Sequence, residues 1–142
     1  MMFPHVVTIY TITEDIETLE VFSNITIVRG VLVDASKGAN VRTSGLEGAD
    51  SVNLYIPFNA ESVDGVTGAE KAYIQPKAYH AALDKTEIWT MDPGISFFVK
   101  GEVVNPDLTF QEINVKYDNV HMITKVDTKD FGTLQHFEVG GS

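Results

Sequence analysis

The sequence predicts a mainly β protein, a small antiparallel β-barrel or sandwich of about six strands with one or two short helices and a long Gly-rich loop. Three observations carry this. The chain opens on Val6-Val7-Thr8-Ile9-Tyr10-Thr11-Ile12, a run of β-branched and aromatic residues that suits a pleated strand. It closes on Val120–Val126 and Leu134–Val139, which mix β-branched or aromatic residues with polar ones at a spacing near two; the turn-rich Asp127–Thr133 between them makes an antiparallel hairpin. In the middle, Ser51–Phe58 alternates, placing Val52, Leu54, Ile56 and Phe58 on one face.

The remaining elements follow in order. After the first strand, Thr13–Thr18 is a polar link whose carboxylates, Glu14, Asp15 and Glu17 with Glu20 just beyond, read as a solvated hairpin loop. They are bunched, without the glycine and alternating oxygen ligands of a calcium loop. The chain resumes at Val21-Phe22, and Ile25, Ile27, Val31 and Val33 mark a second strand with Gly30 in its middle. A glycine there weakens a strand unless a bulge uses it, so the expectation is a bent strand at a barrel corner. Ala35–Asp50 carries three glycines and few apolar anchors. Such a link suits a loop that orders against a neighbouring subunit, with Lys37, Gly38, Asn40, Arg42, Gly45 and Leu46 as its contact candidates. It lacks both the Gly-Lys-Ser/Thr of a phosphate loop and the glycine spacing of a dinucleotide fold.

Pro57 marks a strand edge or end. Asn59–Lys71 is a second polar stretch, with turn signals at Asp64-Gly65 and Gly68. Proline at the first turn followed by alanines predicts a short helix over Pro76–Leu83. Asp92-Pro93-Gly94 is a turn and Ile95–Val104 the next strand. Asn105-Pro106-Asp107 then offers a break and an N-cap for a second helix, with Phe110, Ile113 and Tyr117 near one face; a bulged strand is the alternative.

The 142 residues suffice for one domain, 1–142, with a proper core. A hydrophobic fraction of 44% supports an ordered chain over a disordered one. Twenty acidic against ten basic residues give a net charge of −10, which repels polyanions and argues against sequence-specific DNA binding; solubility is the plain reading of that charge. Without cysteine there is no disulfide or thiolate chemistry. The start lacks the basic and apolar regions of a signal peptide, and the apolar runs are too short to span a membrane. Asn24-Ile25-Thr26 matches a glycosylation sequon that means little in a protein made in the cytosol.

Histidines stand at His5, His80, His121 and His136. None is paired at helical spacing, and only His121 and His136 are placed to meet across the terminal hairpin, too few for a structural zinc. No serine lies in a nucleophile elbow, and twenty carboxylates carry no information about a catalytic pair. The expectation is no catalytic residue, no metal and no cofactor. Trp89, between Ile88 and Met91, reads as core packing, with an interface anchor or a ligand platform as alternatives.

Three stretches carry a resemblance. Pro4-His5-Val6-Val7-Thr8-Ile9-Tyr10, the middle Gly38-Ala39-Asn40-Val41 with Ser44-Gly45-Leu46 and Ala49-Asp50-Ser51-Val52, and Ile123-Thr124-Lys125-Val126-Asp127 through Leu134–Gly140 resemble small uncharacterised or minor capsid-type proteins of Gram-positive tailed phages and prophages. Those in turn resemble the head-closure (stopper, head-tail joining) proteins of the phage neck. The likeness covers most of the chain and rests on patterns of strand and turn, with no catalytic signature. It implies a structural virion protein, made in the bacterial host cytoplasm, that forms a homo-oligomeric ring and helps close the DNA exit channel and dock the tail. Implied partners are virion proteins on the portal or adaptor side and on the tail side. Double-stranded DNA passes without sequence-specific binding, and no membrane is involved. On that reading an acidic loop faces the channel, either Glu14, Asp15 and Glu17 or Glu61 and Asp64. The alternatives are another small virion protein, such as a tail-completion or minor capsid component, and a carbohydrate-binding β-sandwich recognisable by coplanar exposed aromatics. An enzyme would need a pocket of convergent polar groups.

Overall fold

The computed structural model describes residues 3–14, 17–36, 51–106 and 108–142. Among them are the strands β1 (His5–Glu14), β2 (Val21–Ser36), β3 (Ser51–Pro57), β4 (Glu61–Asp64), β5 (Ala72–Tyr73), β6 (Ile88–Trp89), β7 (Ser96–Lys100), β8 (Val120–Lys129) and β9 (His136–Gly141). Two short helices, α1 (Pro76–Ala81) and α2 (Phe110–Lys116), accompany them. Antiparallel pairing runs β1-β7-β8-β9-β3-β2 and returns from β2 to β1, so the six staves expected from the sequence close into a ring of hydrogen bonds. β4 takes up β2 where β3 leaves it: Ser51–Tyr55 face Ser36–Leu32, and Glu61–Asp64 face Arg29–Thr26. Between them the chain leaves the ladder at Pro57, which has no N–H to donate, and Ala60 N–H turns back onto the Pro57 carbonyl at 3.0 Å.

The ring is bent at two corners, each made by a strand that changes partner across a bulge. β2 pairs with β1 up to Val31 and with β3 from Leu32. The register slips there because His5 faces Val31 while Val6 faces Arg29, leaving Gly30 unopposed at φ +83°. Only glycine holds that left-handed conformation without strain, so the mid-strand glycine is the corner itself. β8 pairs with β7 over Val120–Met122 and with β9 from Ile123 onward, with a second slip between Ile123 and Lys125. Strands that pass between two sheets at bulges are how a crossed β packing turns its corners.

Val7, Ile9, Val28, Leu54, Ile56, Phe98, Ile123 and Val139 form the larger apolar core, joined by Trp89 and Met91 from the β6 region. A second cluster, Tyr10, Phe97, Val99, Ile113 and Val120, packs beneath α2, where Tyr10 stacks on Phe97 at 4.8 Å and Phe110 meets Phe97 edge-on at 4.9 Å. β1 is therefore buried on both faces.

Several expectations are corrected. Val52, Leu54 and Ile56 are buried as read, but Phe58 lies beyond the strand end and is 41% exposed. The second polar stretch contains β4. β7 is shorter than expected because Gly101, at φ +102°, turns the chain out of the ladder. α1 ends at Ala81. The second helix forms, but its N-cap is Thr109, in a reciprocal capping box with Glu112; Asp107 lies outside the described residues. Ala35 and Ser36 belong to β2 and not to the Gly-rich loop, of which 37–50 lies outside the described residues. His136 faces Lys129 while Gly141 faces Ile123, so His121 and His136 sit toward opposite ends of the hairpin and do not meet. Trp89 is buried in the core.

Candidate functional site

The tip of the β1–β2 hairpin gathers apolar side chains that the fold does not bury. Leu19 is 69% exposed, Val21, Phe22 and Ile95 are exposed, and Leu83, just past α1, has no cover at all. Leu19 also holds φ +61°, a left-handed backbone that a leucine adopts at a cost of about 1 kcal/mol. Two grooves open on either side of Val21. One, about 610 Å³, runs between the hairpin and the Leu83–Thr86 loop; the other, about 620 Å³, runs between the hairpin, Ile95 and the Pro106–Phe110 approach to α2. Glu20 and Asp84 line the first groove together with His80 and Lys85, and among the described residues the lining of the second carries no charged side chain. This is an exposed apolar surface suited to holding another protein.

A buried polar network holds the wall of the first groove. Asn24, on β2, donates from Nδ2 to the Ile88 carbonyl at 2.9 Å and the Lys85 carbonyl at 3.4 Å, tying the 85–88 segment to the barrel. Its Oδ1 accepts from Thr26 Oγ1 at 3.1 Å and from Lys71 Nζ at 2.6 Å. Lys71 Nζ also donates to the Ile25 carbonyl at 3.3 Å and to Asp64 Oδ1 at 3.2 Å. The Lys71 side chain is 1% exposed, so its three bonds stand in for water. Burial pulls the Lys71 ammonium below its usual range, and Asp64 offsets only part of that. For Asp64, burial pushes upward, but the N–H groups of Thr67 and Val66 and the Lys71 ammonium outweigh it, and the net shift is downward. Nearby, His80 Nε2 lies 2.7 Å from Asp92 Oδ2.

A third, smaller cleft of about 390 Å³ lies where the chain leaves β3, walled by Phe58, Tyr73, Trp89 and Phe137. The exposed aromatics, Phe22, Phe58 and Phe131, sit on β2, after β3 and in the β8–β9 loop, on three separate elements.

The residues singled out from the sequence fall in three places. Lys37, Gly38, Asn40, Arg42, Gly45 and Leu46 lie outside the described residues, as does Asp15. Glu14 ends β1 opposite Val21, and Glu17 is exposed at the hairpin tip beside Leu19. Glu61 and Asp64 are not loop carboxylates: Glu61 starts β4 and meets Arg29 at 2.9 Å, while Asp64 holds Lys71. Among the described residues no three His, Asp or Glu side chains come close enough to hold a metal ion, and no helix is long and apolar enough to cross a membrane. The Asn24 of the sequon is 3% exposed, its amide committed to the network. The sequence reading missed Lys71 because a lysine closing a polar stretch carries no sign of burial.

The chain belongs to DUF6751, a family of unknown function, whose pattern matches residues 3–142. No curated protein and no solved structure matches it.

Proposed function

We propose that this chain is a structural assembly subunit of the head-closure kind found in a tailed-phage neck, one that docks other proteins and does not turn over a substrate. The observation that carries the reading is the apolar end of the barrel, where Val21, Phe22, Leu83 and Ile95 are left in solvent along two grooves and Leu19 is exposed in the same hairpin. Apolar groups concentrated in this way mark a surface that a partner covers. The resemblance of the opening, middle and closing segments to phage neck proteins supplies the setting: a ring of copies between the portal or adaptor side and the tail, with DNA passing through.

Two acidic sets are candidates for the channel-facing one, Glu14, Asp15 and Glu17 or Glu61 and Asp64; in the second, Arg29 stands 2.9 Å from Glu61 and Lys71 3.2 Å from Asp64. Native mass spectrometry with negative-stain imaging, on the purified chain and on the chain mixed with portal, adaptor and tail proteins of a tailed phage, tests the proposal. A closed ring is expected in at least one condition. A monomer in both, with affinity for oligosaccharides, would replace this reading with the carbohydrate-binding one.

A further inference from the structure

Two strands of the ring run on past their neighbours. β8 bonds to β7 only as far as Met122, and Gly94 N–H adds one bond to the Ile123 carbonyl at 2.9 Å. From Thr124 to Lys129 its only backbone partner among the described residues is β9. β2 leaves β1 at Val31, and from Leu32 to Ser36 it bonds to β3. On its other side His5 Nδ1 accepts the Val33 N–H at 3.0 Å, and no further described backbone segment pairs there. β4, by contrast, is covered along its outer side, where Asp64 N–H bonds to Ala69 and Lys71 N–H to Ser62. The stretches without a second strand partner among the described residues are thus the two outer edges of one four-stranded run, β2-β3-β9-β8.

We propose that these edges are two halves of one subunit contact, in which the β8 edge of one copy pairs with the β2 edge of the next. The inference rests on the reading of the chain as a self-assembling subunit and names its subunit contact. The lengths match, five residues from Leu32 to Ser36 against six from Thr124 to Lys129. The charges are opposite in sum: the β2 edge carries only Asp34, which is exposed, whereas on β8 Lys125 and Lys129 flank Asp127. Lysines on an open edge discourage indiscriminate strand pairing. A strand that sets a carboxylate beside them turns that barrier into cross-strand attraction. Because one edge meets a different edge, copies add in a single direction, and the assembly closes into a ring when the rotation per copy allows it.

Disulfide trapping tests this in a chain that has no cysteine of its own. Within one copy, Asp34 faces Asn53, Asn53 faces Gly140 and Gly140 faces Lys125, so the two side chains stand three strand spacings apart, about 14 Å. That exceeds the Cα separation of about 7 Å that a disulfide spans, so any bond formed is between copies. Asp34→Cys is mixed in turn with Lys125→Cys, Asp127→Cys and Lys129→Cys, three positions at strand spacing two that sample the register. Covalent dimers in at least one mixture, and a ladder of higher species from the matching double variant, are expected. Asp34→Lys should weaken association about fivefold per contact, and Lys125→Asp with Lys129→Asp should restore it. A closed oligomer without a disulfide in any mixture overturns the edge contact and leaves the assembly reading standing. A chain that stays monomeric without a disulfide, both alone and mixed with the neck proteins, overturns both.

Discussion

Lys71 and Leu83 invert the usual rule of burial within one small region of the barrel. The lysine is enclosed, with 1% of its side chain exposed, while the leucine lies wholly in solvent on the groove wall. Asn24 connects them, accepting from Lys71 on one side and donating to the Lys85 and Ile88 carbonyls on the other. The two residues realise their free energy in different places. Lys71 is satisfied within the chain, so its contribution is to the fold and to the position of the groove wall. Leu83 is fully exposed, so on the proposed reading its contribution is deferred to a partner.

If that division is right, substitutions on the inner side change stability and those on the outer side change association. The largest effect on the inner side belongs to the core on which the network rests. Leu54→Ala, at a site with no exposure, should destabilise the fold by about 3 kcal/mol in chemical denaturation, the range for truncated buried leucines. Asp64→Asn follows, at about 2 kcal/mol near neutral pH. It leaves Lys71 buried without its counter-ion, and the loss is moderated because Asp64 keeps 20% exposure. Lys71→Met should cost less, and the double variant less than Asp64→Asn alone; a double variant as costly as the sum would show that the pair is not coupled.

The same pair fixes a pH dependence. The folded-state pKa of Asp64 lies below its ordinary 3.8, so its stabilisation is present above that value and is lost as pH falls through the lowered one. The folded-state pKa of Lys71 lies below its ordinary 10.5, so the cost of enclosing its charge is relieved as pH rises from the lowered value toward 10.5. Lys71→Met should remove that alkaline rise from a plot of unfolding free energy against pH. Asp64→Asn should remove the acid loss.

The sequence disclosed the scaffold better than the surface because the two are written differently. Alternation in Ser51–Pro57, the opening run of β1 and the mid-strand Gly30 are local patterns tied to backbone geometry, and each corresponds to a strand or a corner of the ring. Thr109 and Glu112 carry a capping signature as well, three residues apart, but the Asn105-Pro106 break just ahead of it is the stronger local signal. The Lys71 network had no such signature. Its members come from positions 24, 26, 64 and 71, brought together by β2–β4 pairing that no local pattern specifies. Likewise Leu19, Val21 and Phe22 resemble ordinary strand residues, and only the folded chain shows that all three are exposed at this end of the hairpin. The acids show the same limit: in the sequence Glu61 and Asp64 look like loop carboxylates, until β4 sets Arg29 and Lys71 beside them.

The smallest expected effect is the sharpest test of the comparison, because it separates stability from docking by sign. Leu19 holds a left-handed backbone at φ +61° while exposing most of its side chain, so the folded monomer bears strain and gains little packing in return. Leu19→Gly removes the strain but also loosens the unfolded chain, which takes back part of the gain. The net should be a stabilisation of about 0.5 kcal/mol, read as a small rise in the denaturation midpoint. Leu83→Ser, with no packing to lose, should change stability by less than about 0.5 kcal/mol. Both variants should nevertheless bind their partners more weakly, since each removes an apolar side chain from the surface assigned to docking. A leucine retained where glycine folds better would then be explained by what it touches in the assembly. Destabilisation by Leu19→Gly, with association unchanged, would return the hairpin tip to the fold and remove it from the docking surface.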